Sequence, residues 1–248
     1  MGAGWRHVSR LHIDRDGWRD LCLSFPSVDS LLVCGWQPRD PLLRLWQIDT
    51  NLLRSGDSPL RRLIDSGGGR IGAVALAAHG GHIACGYSET VPDTVRPRAR
   101  AWPLARGRLA AEFVSAEVSA YTVSLAFSGH DLLATGHDGI VSLWSLADGA
   151  LLHVLPCFLD QPVSALACAG DHLAAAAGLP HVPVWRLPHA TPLAQIDTGG
   201  AVCALALSPD GDLLACAVGS PAEARRACEK GQPFAVRVEM WTLDEPRR

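Results

Sequence analysis

The amino-acid sequence predicts an all-β protein made of repeated four-stranded units, and three observations carry that prediction. Its apolar residues fall in runs of four to seven, bounded by Gly, Asp, Ser and Pro turns such as Ser208-Pro209-Asp210-Gly211. None of these runs sustains a 3.6-residue period over a helix-length window. The runs also recur in tandem along the chain, and in each recurrence one of them ends in tryptophan.

Taken in order, the first run of each unit is DLCLSF (20–25), AVALAA (73–78), TVSLAF (122–127), VSALAC (163–168) and VCALAL (202–207). A few turn residues later comes a second run: LLVCGW (31–36), HIACGY (82–87), LLATGH (132–137), LAAAAG (173–178) and LLACAV (213–218). The third ends at Trp46, Trp102, Trp144, Trp185 and Trp241, and a fourth follows in GRLAAEF, GALLHVL and TPLAQID. Trp102, Trp144 and Trp185 are spaced 42 and 41 residues apart. Roughly 40–45 residues is what four strands and their turns need to make one propeller blade.

The third unit, TVSLAFSGHDLLATGHDGIVSLWSLADGALLHVL, resembles a blade of the WD40 family of β-propellers, and the likeness covers nearly the whole chain. The resemblance implies a single domain over residues 1–248, a WD40-like propeller of about five four-stranded blades. Its five repeat tryptophans would be structural, and Asp40 and Asp138, six residues before Trp46 and Trp144, would match the family's turn aspartate. The chain departs from the family in that no repeat tryptophan is followed by Asp; Gln47, Pro103, Ser145, Arg186 and Thr242 stand there instead. Blade counting expects the stretch WRHVSRLHI (5–13) to pair with the last blade and close the ring, which removes open edges.

Composition narrows the function classes. Across 248 residues the net charge is −3, with 48% hydrophobic and 19% charged residues, which gives the whole protein no electrostatic footprint for nucleic acid or an anionic membrane. No signal-peptide core and no run of about 18 apolar residues occurs, so the expectation is an intracellular protein, cytoplasmic or nuclear, with no membrane partner. The eight cysteines show no metal-ligand spacing and sit mostly inside apolar runs; they read as reduced, buried side chains, with no metal and no cofactor expected. No G-x-S-x-G, HExxH or phosphate-binding glycine loop is present, and the expectation is a protein that is not an enzyme.

The stretch GHDLLATGHDG (129–139) poses a catalytic or metal-binding question, since it holds two Gly-His-Asp triplets. In the strand reading they are turns at opposite ends of one strand. A rise of about 3.3 Å per residue then separates His130 from His137 by on the order of 20 Å, which is too far to share a metal.

A binding surface is the better expectation. The loops after second strands and the loops entering first strands fall on one face, and that face carries the two largest insertions, Ser88 to Arg98 and Ser220 to Phe234. Strand two is placed near the channel, so Trp36, Tyr87 and His137 at its end are candidate partner anchors. Arg96, Arg98 and Arg100 alternate and, if extended, project to one side; with Arg225 and Arg226 they suggest a local basic patch for an acidic peptide. The resemblance implies a non-catalytic scaffold or adaptor in a multiprotein complex, for instance its substrate-recognition part. The rival readings are a hydrolase with a site at the channel mouth and an RNA- or phosphate-binding module.

Overall fold

The computed structural model of the chain describes residues 19–27, 30–37, 40–49, 60–65, 70–77, 81–91, 94–103, 111–114, 124–129, 131–159, 161–219 and 236–243. Among them there is no helix; the protein is all-β, built from antiparallel sheets that follow one another along the chain. Sheet one holds β1 (Arg19–Ser27), β2 (Ser30–Gln37), β3 (Asp40–Asp49) and β4 (Leu60–Asp65). Sheet two holds β5 (Arg70–Leu76), β6 (His82–Val91), β7 (Thr94–Pro103) and β8 (Ala111–Val114). Sheet three is β9 (Ser124–Ser128), β10 (Leu132–Gly136), β11 (Ile140–Ser145) and β12 (Leu151–Pro156). Sheet four is β13 (Ala165–Ala169), β14 (His172–Ala176), β15 (His181–Arg186) and β16 (Thr191–Asp197). Sheet five has three described strands, β17 (Val202–Leu207), β18 (Leu213–Val218) and β19 (Arg237–Thr242).

Each expected unit is therefore one sheet, and the registers repeat. Trp46, Trp102, Trp144, Trp185 and Trp241 pair with Val33, Ile83, Leu133, Leu173 and Leu214, the same place in every second strand. In sheets one, three and four the pairing of third with fourth strand shifts just before that tryptophan. The turn edges repeat too. Leu146, Leu187 and Leu243 each donate a backbone N–H to the carbonyl of Asp131, Asp171 or Asp212.

The apolar runs lack the alternation of a one-sided sheet because the sheets pack face to face in series, burying both faces of the inner strands. Leu133 joins Ala84, Ala99, Ala101 and Phe113 of sheet two, whereas its neighbours Leu132 and Ala134 join Leu173, Ala175 and Trp185 of sheet four. Ala174 and Ala176 turn the other way, onto Val202, Leu214, Cys216 and Val218 of sheet five. Trp144, Trp185 and Trp241 each pack toward the preceding sheet, Trp144 on Phe113 with ring centroids 5.6 Å apart. Trp102, Trp144 and Trp185 are buried and Trp241 is half-buried; the side chains of Trp46 and Asp40 lie outside the described residues.

Two expectations are corrected. The strands that pack between successive sheets are the first ones, β1 on β5, β5 on β9, β9 on β13 and β13 on β17, so strand one and not strand two is innermost. The stretch expected to be a loop insertion, Ser88 to Arg98, is a hairpin: β6 and β7 pair for five positions beyond Gly86 and Ala99, out to Val91 and Thr94. The equivalent pairing in sheet three ends at Gly136 and Val141. The proposed closing strand, residues 5–13, lies outside the described residues.

Candidate functional site

The turn between the second and third strands of a sheet is stitched by main-chain bonds to the loop entering the next sheet. In sheet three, Gly139 N–H donates to the Gln161 carbonyl (2.7 Å), Val163 N–H to the His137 carbonyl (2.8 Å), and Asp138 bridges Pro162. In sheet four, Thr198 N–H donates to the Pro180 carbonyl (2.8 Å), and the Thr198 hydroxyl bonds Pro180 and Gly200. These turns and loops lie on the edge from which the β6–β7 ribbon projects.

At this edge His137 is buried, 2% exposed. Its Nε2 shares a 2.8 Å hydrogen bond with Thr135 Oγ1, which also accepts the Trp144 indole N–H at 3.0 Å, while Nδ1 has no partner. Burial pushes the imidazole pKa down to about 4, so the ring is neutral at physiological pH. The next residue, Asp138, is exposed, and the turn bonds at its position are made by the backbone.

Tyr87 occupies the same register position in sheet two, four residues past the tryptophan's partner, and is also 2% exposed. The Arg100 guanidinium stacks 5.1 Å above its ring. Trp36 is three residues past Val33, so it stands one register position off from Tyr87 and His137, and its side chain lies outside the described residues. Of the three candidate anchors, Tyr87 and His137 are therefore interior.

The arginines are placed as an extended row. Arg96, Arg98 and Arg100 alternate along β7, opposite Glu89, Tyr87 and Cys85. Arg98 and Arg100 are half-buried and engaged, and the side chain of Arg96 and all of Arg225 and Arg226 lie outside the described residues.

The sequence reading missed Leu159, 93% exposed in the loop between β12 and β13 beside the stitched turn. Nothing in CFLDQP distinguishes it from its neighbour Phe158, which is buried and tilts against the His181 ring at 5.5 Å. Cys85, Cys157, Cys168, Cys203 and Cys216 are free thiols. Burial pushes Cys85, Cys157 and Cys168 up to about 12 and Cys216 to about 11, which keeps them protonated and poorly nucleophilic.

No group of three or more His, Cys, Asp or Glu placed to hold a metal occurs among the described residues. No helix among them is long and apolar enough to cross a membrane. In comparison with known proteins, the chain matches no family model and no curated protein.

Proposed function

We propose that the chain is a non-catalytic interaction module, a WD40-like propeller of five blades whose ribbon-bearing edge takes an extended acidic segment of a protein partner. The observation that carries this reading is the β6–β7 ribbon, which extends past the body of its sheet and carries arginines at alternate positions of one strand. Beyond Ser88 and Arg98 the two strands pair, among the described residues, with each other alone, so their outer edges offer main-chain groups for strand addition, and alternating guanidinium groups suit carboxylates. The neutral, buried His137, with Nε2 bonded to Thr135, acts as part of the interior and not as an acid or base.

Fluorescence anisotropy with a Glu/Asp-rich extended peptide tests the site. The Arg96→Glu/Arg98→Glu protein, shown folded by circular dichroism, is expected to bind at least about tenfold more weakly than wild type, or ~1.4 kcal/mol. Equal affinity overturns the reading; binding confined to an RNA oligonucleotide and falling steeply with salt replaces it with the nucleic-acid one. Ring closure has its own test. Removing residues 1–13 is expected to lower the urea midpoint and promote self-association, and an unchanged midpoint rejects closure by that segment.

A further inference from the structure

The first strands of sheets two to five enclose an open cavity of about 310 Å³, room for on the order of ten waters. Register equivalence arranges its walls in tiers. One is Val74, Leu125, Leu166 and Leu205, which pair with equivalent positions of their second strands, Cys85, Thr135, Ala175 and Cys216. The next tier, one residue nearer the ribbon-bearing edge, is the small set Ala73, Ser124, Ala165 and Ala204. Ser164 and Cys203 stand one residue beyond that, as a rim. The cavity thus runs from a branched apolar collar to a mouth of hydroxyl and thiol groups.

The hydroxyl and thiol side chains of the lining have committed their protons. Ser124 donates to the Val163 carbonyl (2.6 Å), Ser164 to Ala176 (3.3 Å) and the Cys203 thiol to Ala217 (3.3 Å). What each still offers to the cavity is lone pairs, so it accepts and does not donate. No charged residue is among the described lining residues, so an ion entering would lose hydration without a counter-charge.

We infer that this cavity binds a small uncharged ligand, a branched aliphatic body seated on the leucine collar with a hydrogen-bond donor at the serine and cysteine rim. Isovaleramide has that chemistry, and isovalerate is its anionic near-isostere. Saturation-transfer NMR on the full chain is expected to show transfer to the isovaleramide methyls, none to isovalerate, and loss of transfer in Ala204→Met, which fills the small tier. Location is read independently in the wild-type protein. At ten times its Kd, isovaleramide is expected to slow iodoacetamide alkylation of Cys203, followed by peptide mass spectrometry, about tenfold, while isovalerate at the same concentration leaves it unchanged. Absence of transfer to isovaleramide, equal transfer to isovalerate, or transfer without protection of Cys203 overturns the inference.

Discussion

Around Trp144 three interior side chains answer one another's polar needs. The indole N–H donates to Thr135, and Thr135 in turn bonds His137, so one hydroxyl serves two buried rings. Removing it by Thr135→Val, close to isosteric, leaves both rings short of a partner and is expected to cost about 1–3 kcal/mol in urea unfolding. Truncation of the ring itself, Trp144→Ala, is expected to cost about 3–5 kcal/mol, and Trp241→Ala less, because that indole is only half-buried. His137 adds a pH dependence. Its folded pKa, about 4, lies below the ordinary histidine value of 6.5, so the unfolded chain binds the extra proton between those pH values. Its contribution is fully present above pH 6.5 and is lost as pH falls toward 4, by up to roughly 3 kcal/mol. Urea midpoints of wild type and His137→Gln across pH 7.5 to 4.5 check this: the acid-side slope is expected to be shallower in the variant.

Comparison of equivalent strands explains local residue choices that a single unit leaves obscure. Gly136 stands where sheets four and five have Ala176 and Ala217, and it faces Ser124 where they have Ala165 and Ala204. A Cβ at Gly136 would lie 2.2 Å from Ser124 Oγ and 2.9 Å from Val163 Cβ, so the larger residue across the strand pair requires the smaller one here. Gly136→Ala is expected to destabilise by about 1–3 kcal/mol, and Ser124→Ala to restore part of it, a coupling that a double-mutant cycle in denaturant measures. The reverse logic applies at Cys216, which occupies the place of Thr135. Trp241 Nε1 is buried there with no hydrogen-bond partner. Cys216→Thr is expected to supply the acceptor and raise stability by about 0.5–1.5 kcal/mol, read as a higher midpoint at unchanged m-value.

Across the whole molecule, the order of sheets was legible because each unit carries a tryptophan and bounded apolar runs, and because two-sided burial writes those runs without alternation. The fourth strand of sheet one, Leu60–Asp65, escaped notice since LRRLID mixes charge into an outer strand, where burial makes few demands. The candidate site was read less well. Tyr87 and His137 are polar-tipped rings beside turns, a local setting that suits either an anchor or an interior position, and only the packing of neighbouring sheets decides for the interior. Sheet five shows the other side of that dependence: Val238 and Met240, 66% and 67% exposed, lie on the face turned away from sheet four. The bonds that fix successive units, such as Leu146 to Asp131, Leu187 to Asp171 and Leu243 to Asp212, join backbone to backbone. A frame secured in this way places little demand on the side chains at its corners. Most of the surface alphabet can then be exchanged, one sheet at a time, while the architecture persists.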